Sequence, residues 1–253
     1  MKNVQLITQN YRYLDQGTWS EINDVILYVD QNIHQLLENE TKWGNLQTVV
    51  NTGLVCALHL IWNQKDAVSL KRAQHIVSSI SSVMNLAITN YFMAKLNYVQ
   101  GNFNDALDYY QIAMSLNKIE NDQQAYSNRN ILLAMGSISE NNSYMNLTEV
   151  LSAVIFNDMA NVYVALEQYD QALANFNCAY DIQSDIYEDK ESPNIAYTLR
   201  NMAKAYLGKE DLINAKIQSD IAYTITQKIY DDRHPEHTET QSINQKINEL
   251  CYS

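Results

Sequence analysis

The sequence predicts an all-α protein, a solenoid of antiparallel helix pairs, and three observations carry that expectation. The 253 residues include only 2 Pro and 6 Gly, too little turn punctuation for a sheet protein and suited to helices joined by short polar loops. The chain also repeats itself. "FNDMANVYVALEQYDQALANFNCAYDI" (156–182) and "LRNMAKAYLGKEDLINAKIQSDIAYTI" (199–225) superpose without a gap. Ala160 falls on Ala203, Tyr163 on Tyr206, Ala172 on Ala215 and Ala179 on Ala222, each pair 43 residues apart. An earlier segment, "NYFMAKLNYVQGNFNDALDYYQIAMSL" (90–116), fits the same frame through Ala94, Phe103, Ala106, Tyr110 and Ala113. In all three segments two alanines lie 12 apart, with Phe103, Tyr169 or Leu212 three residues before the second. Small residues at Ala94, Ala160 and Ala203 let a second helix approach the first. Ala106, Ala172 and Ala215 do the same on the second helix, while Tyr and Phe fill the space between pairs.

Each element can be justified in order. Thr18-Trp-Ser-Glu21 has the form of a capping box, and Ile22, Val25, Ile26, Val29, Ile33 and Leu37 follow at helical spacing. A second helix is expected over about 45–63; its apolar stretch "VVNTGLVCALHLIW" covers 14 residues, too few to span a membrane. A third, about 66–84, buries Leu70, Ala73, Val77 and Ile80. The segment 121–146 reads as one helix through about 137 and then a polar loop. Pro193 and Pro235, 42 residues apart, suit the first turn of the helices they precede, where a missing N–H is not needed. The last segment, "ETQSINQKINEL", lacks the alanines and is polar, as a solvent-facing capping helix should be.

The alanine and aromatic pattern resembles the tetratricopeptide repeat. The 42–43-residue spacing, with "IYEDKESPNIAYT" (186–198) returning as "IYDDRHPEHTET" (229–240), resembles the longer repeats of kinesin light chains. The resemblance covers roughly 87–250 and is strongest from 150 onward. It implies a right-handed superhelical solenoid. Residues 1–86 would be an N-terminal helical region; Ala73 precedes Ala106 by 33 residues, close to one standard repeat, so its second and third helices fit a diverged first repeat. Residues 87–253 would be the repeats, with an irregular insert at about 117–146 and the C-terminal capping helix. Ala94 and Ala160 are 66 apart, so the insert is either a degenerate repeat or an interruption of the superhelix.

In tetratricopeptide proteins one face of each first helix, spaced i, i+3, i+7, i+10, lines a concave groove. That frame assigns to the groove Ile88, Tyr91, Lys95 and Tyr98; Val154, Asn157, Asn161 and Val164; and Tyr197, Arg200, Lys204 and Leu207. Asn157 and Asn161 can donate and accept at once, which suits holding a peptide backbone. Arg200, Lys204 and Lys95 can attract acidic groups, while Tyr91, Tyr98, Tyr197 and Val164 supply apolar contact. The set resembles the carboxylate clamp of chaperone-binding tetratricopeptide domains and the Asn-lined groove of kinesin light chains. Asn157 and Asn201 match the recurrent Asn positions of the latter; Asp158 and Arg200 depart from them. The resemblance implies a noncatalytic interaction module whose partner is a protein or peptide with acidic or C-terminal carboxylate groups. Other uses stay open: Arg200 and Lys204 paired with Glu or Asp on neighbouring helices, a peptide-sensing regulator whose N-terminal helices are the effector part, and self-association through the solenoid ends.

A net charge of −12, from 17 Lys and Arg against 29 Asp and Glu, repels phosphate and argues against a nucleic-acid partner. Cys56, Cys178 and Cys251 are scattered without CxxC spacing and read as buried or free thiols of a reducing, cytoplasmic setting. The start, "MKNVQLITQNYRYL", has no apolar signal core, and no membrane partner is expected. Without GxSxG, HExxH or a phosphate-cradling glycine loop, neither a cofactor nor catalysis is expected; an enzyme would need a site assembled from residues scattered along the chain. His34, His59 and His75 read as satisfied helix histidines. His234-Pro-Glu-His237 reads as an inter-repeat turn opening a helix, since a metal site needs three or four converging ligands.

Overall fold

The computed structural model describes residues 19–39, 43–64, 66–84, 86–119, 128–135, 137, 146–187 and 191–252. Among them are eleven α-helices, one π-helical turn and no strand: α1 (Trp19–Asn39), α2 (Trp43–His59) running into the π-turn Leu60–Gln64, α3 (Ala67–Val83), α4 (Ala87–Val99), α5 (Phe103–Ile119), α6 (Arg129–Ala134), α7 (Leu147–Ala165), α8 (Tyr169–Ile186), α9 (Pro193–Gly208), α10 (Leu212–Ile229) and α11 (Pro235–Cys251). Thr18 of the expected capping box lies outside the described residues, as does most of the expected insert. The chain divides into two compact units, Met1–Leu151 and Ser152–Ser253, and the division falls inside α7. The α4–α5 hairpin, expected among the repeats, belongs to the first of them.

In the first unit, α1 turns Ile26, Val29, Ile33 and Leu37 inward, all buried, which is the spacing the sequence predicted. A Cβ on Gly53 would stand 2.7 Å from Ile80 Cδ1 and 3.2 Å from Ile76 Cγ2, so the bare glycine is what lets α2 lie tight against α3. Asp66 caps α3, its Oδ1 accepting from Val68 N at 2.9 Å and Ser69 N at 3.0 Å. His75 Nδ1 meets Asp30 Oδ1 at 2.9 Å and Arg72 Nε lies 3.6 Å from Asp30 Oδ2, tying α3 to α1. His34 Nε2 is 3.3 Å from Ser79 Oγ, and burial lowers the pKa of His59. Burial also pushes the Cys56 thiol up to about 12; all three cysteines are free, with Cys178 exposed.

In the second unit the predicted packing alanines Ala160, Ala172, Ala179, Ala203, Ala215 and Ala222 have no exposed surface. Their lack of bulk brings helices together around Leu173, Phe176, Ile195, Leu199, Met202 and Ile225. The cross-helix bonds fix direction. Thr198 reaches Gln183 and Lys209 reaches Asp170, so α8 and α9 run antiparallel. Thr226, Asp220, Lys216 and Leu212 of α10 meet His237, Asn244, Asn248 and Cys251 of α11 in that order, again antiparallel. Pro193 and Pro235 open α9 and α11 as expected. Ser192 Oγ caps the first, accepting from Asn194 N at 3.2 Å, and His234 Nδ1 caps the second, accepting from Glu236 N at 3.3 Å. His237 is buried against Tyr223 and within 3.1 Å of Thr226 Oγ1. The histidine pair therefore caps and packs.

One turn is built three times. Asn102 N bonds Asn97 O, Gln168 N bonds Tyr163 O, and Asp211 N bonds Tyr206 O, each over 2.8–3.0 Å. The residue before each donor is left-handed: Gly101 at φ 81°, Glu167 at 59° and Glu210 at 62°. Glycine takes that conformation freely and glutamate does not.

Candidate functional site

The ten candidate side chains fall in both units: Tyr91, Lys95 and Tyr98 on α4 in the first, the other seven on α7 and α9 in the second.

On α9, Arg200 is the most enclosed cation, its side chain 3% exposed. Its Nη1 donates to Glu236 Oε2 at 2.7 Å, lies 3.4 Å from Glu239 Oε2, and makes 3.4 Å contacts to Glu236 O and Thr240 Oγ1. The guanidinium carbon sits 5.2 Å from the Tyr197 ring centroid, within cation–π range. Nε of the same guanidinium is buried with no hydrogen-bond partner. One turn on, Lys204 Nζ donates to Glu239 Oε1 at 2.9 Å, with the two side chains 38% and 49% exposed. Burial raises the Glu239 pKa, but the Lys204 hydrogen bond and the charges of Arg200 and Lys204 outweigh it, and the carboxyl ends below its ordinary value. Of the two uses left open for these cations, the structure contains the pairing with neighbouring acids, and both acids come from α11.

Between α7 and α9 the hydrogen bonds of Asn157 and Asn161 go to neutral hydroxyls. Asn157, buried, donates Nδ2 to Thr198 Oγ1 at 2.9 Å, and the same hydroxyl lies 2.8 Å from Gln183 Oε1 of α8. Asn161 is half-buried and donates Nδ2 to the Tyr197 hydroxyl at 3.1 Å. Asn201, also buried, bonds that hydroxyl too. Burial, with the charge of Asp158 adding and that of Arg200 opposing, pushes the Tyr197 phenol up to about 12. Val164 packs half-buried against the core.

On α4, Tyr91 has 1% of its surface exposed; its ring meets Phe92 edge-to-face at 5.6 Å and Tyr110 at a tilt at 5.9 Å. It is a core side chain, not the groove contact expected. Lys95 Nζ stands 6.0 Å over the Trp62 ring, and the Tyr98 ring lies 5.9 Å from that of Phe103.

The repeat frame explains the difference. Tyr91, Asn157 and Arg200 are equivalent positions, and all three are buried at 5% exposure or less. That position points between helices, so its occupant becomes a strut. Lys95, Asn161 and Lys204 are also equivalent, as are Tyr98, Val164 and Leu207, and all six are half-buried. These two rows remain reachable from outside. Sequence reasoning missed Thr198, Glu236, Glu239 and Trp62. The repeat offset of 42 puts Glu239 in the place of Tyr197, beside the cations, and was the available signal.

Known proteins can be set beside this geometry. Residues 151–217 match the family model described as "Tetratricopeptide repeat". This stretch is built of tetratricopeptide repeats. The kind is generally a noncatalytic scaffold for protein–protein interaction. No curated protein sequence matches the chain. A crystal structure of BtubC (BKLC) from P. vanneervenii shares the fold with a TM-score of 0.59, at 14% identity, over 94% of this chain and 85% of that one. Beyond the matched tetratricopeptide stretch, α11 extends the same packing with a polar helix whose acids occupy the cations of α9. Among the described residues, no helix is long and apolar enough to cross a membrane, and no group of three or more His, Cys, Asp or Glu could hold a metal ion.

Proposed function

We propose that the repeats of the second unit bind a partner segment on the face lined by Asn161, Val164, Tyr197, Lys204 and Leu207, and that the segment carries an acidic side chain or a C-terminal carboxylate. The observation that supports this is the contrast in exposure between the two cations. Lys204 and Glu239 form a half-exposed pair, worth about 0–1 kcal/mol, so a partner carboxylate can replace Glu239 at little cost. Arg200 is enclosed, so its exchange would leave a buried charge unpaired. Lys204 is therefore the cation that meets the partner, and Arg200 holds α11 in place beside it. Asn161 offers a carbonyl oxygen to a peptide N–H without giving up the Tyr197 hydroxyl. In the first unit, Lys95, Tyr98 and the 37%-exposed Trp62 form a smaller aromatic and cationic patch of the same type.

Peptides selected from a displayed random library against the intact chain provide the test. Calorimetry on selected peptides should show Lys204→Glu abolishing binding and Asn161→Ala weakening it several-fold, with circular dichroism unchanged. Peptides that bind both variants as tightly as the native chain would overturn the site.

A further inference from the structure

The outward-facing positions of the second helices differ sharply between the two repeats. On α8 they are Asp170, Ala174, Cys178, Asp181 and Asp185, all exposed. The same positions 43 residues on, along α10, are Ile213, Ile217, Ile221, Thr224 and Lys228, also exposed. The isoleucines are 76%, 47% and 45% exposed and four residues apart, which sets them in a single stripe down the helix. Packing within the chain does not call for them, because the preceding repeat folds with Asp, Ala and Cys at these places. Polar side chains flank the stripe, and its charged flank is internally balanced, with Lys216 bonded to Asp220 at 2.9 Å.

The neighbouring strip has a sign. Asp170 is paired with Lys209, and Lys228 of α10 with Glu191. Asp181 and Asp185 have no ion-pair partner among the described residues. Since α8 and α10 each run antiparallel to α9, they run parallel to each other. Leu173 and Phe176 of one share a buried cluster with Ala222 and Ile225 of the other. The repeat register therefore places the two aspartates level with Thr224 and Lys228, about one and two turns past Ile221, where the isoleucine stripe ends.

We propose that this outer face of α8 and α10 docks an amphipathic helix whose aliphatic side chains lie along Ile213, Ile217 and Ile221 and whose Lys or Arg flank meets Asp181 and Asp185. The mode is that of an apolar helix face read at i, i+4, i+8 and oriented by charge along one edge. A second copy of this chain is the wrong occupant. It would bring two unpaired aspartate strips together in molecules that each carry a net charge of −12.

The test uses the full chain and two synthetic helices of about 18 residues, one of leucine and lysine with the leucines on one face, the other with glutamate in place of lysine. The leucine–lysine helix should bind. Ile217→Asp with Ile221→Asp should weaken it by about tenfold or more, and Asp181→Lys with Asp185→Lys should weaken it and flatten its salt dependence. Lys204→Glu, on the other face, should leave it unchanged. The isoleucines and aspartates are exposed and Lys204 is half-buried, and a native circular dichroism spectrum qualifies each variant; Ile217→Ser with Ile221→Ser serves if the aspartates do not fold. Equal binding of the leucine–glutamate helix would overturn the proposal, as would binding that survives loss of the isoleucines. So would an Ile217-dependent dimer of the native chain in sedimentation.

Discussion

The joint between α7 and α9 and the joint between α9 and α11 do the same mechanical work with different chemistry. The first is a neutral network in which Asn157, Thr198 and Gln183 share one buried hydroxyl. The second sets a buried guanidinium and an exposed ammonium against two glutamates that water can reach. A neutral network is indifferent to pH and salt, whereas a half-exposed ion pair answers to both. In this part of the stack the condition-sensitive joint is therefore the one that holds α11 on α9.

Breaking the charged joint should have the largest effect. Arg200→Ala removes a buried side chain and its contacts to Glu236, Thr240 and Tyr197, and should cost about 3 kcal/mol in denaturant unfolding. Arg200→Met keeps the volume and leaves only half-exposed acids behind. It should come within about 1 kcal/mol of native, and a loss as large as that of the alanine variant would show that charge, not filling, holds α11. Thr198→Val breaks the neutral joint and leaves Asn157 and Gln183 short of a partner, for about 2 kcal/mol. Its cost should be the same at low and high salt, while that of Arg200→Ala should shrink as salt rises.

Smaller effects sharpen the contrast. Glu210→Gly relieves a left-handed glutamate in the turn that opens α10 and should stabilise by about 1 kcal/mol, measured as a rise in Tm. The smallest effect is the pH dependence of Glu239. Its folded pKa is depressed, so its stabilising contribution is complete above the ordinary carboxylate value of about 4.3 and is lost as the pH falls through the folded value. The Tm difference between the native chain and Glu239→Gln should therefore be present at neutral pH and vanish in acid, with the native chain the more stable. A difference that persists at low pH would mean the carboxylate charge is not what holds Lys204.

Much of this fold was legible because packing small residues and opening a helix with proline leave periodic marks. Ala160, Ala203, Ala172 and Ala215 recur at 43, and Pro193 and Pro235 at 42; each does in three dimensions what its spacing implied. The candidate face was legible only in part. A helical frame assigns a side chain to a sector of the helix, yet a neighbouring helix covers part of that sector. Tyr91, Asn157 and Arg200 lie on the covered edge, and Lys95, Asn161 and Lys204 one turn away lie on the open side. Whether a given cation finds an acid depends on the next first helix, and α11 carries no repeat alanines to advertise that it continues the register. Composition hid the isoleucine stripe as well, since each isoleucine of α10 fits a buried helix until the structure shows which side is covered.

The shared turn has a consequence for how the chain gets folded. Three hairpins close through the same short turn, and the side-chain bonds described in the second unit join residues at most 41 apart, as between Asn157 and Thr198. Contacts that close in sequence cost little loop entropy, so this unit should fold quickly for its size. The α9–α10 hairpin has partners on both sides and an aspartate cap on its second helix, which suits it to form first. α11 would zip onto it afterwards, drawn by the charges on α9, and would separate from it more readily in high salt than α7 does.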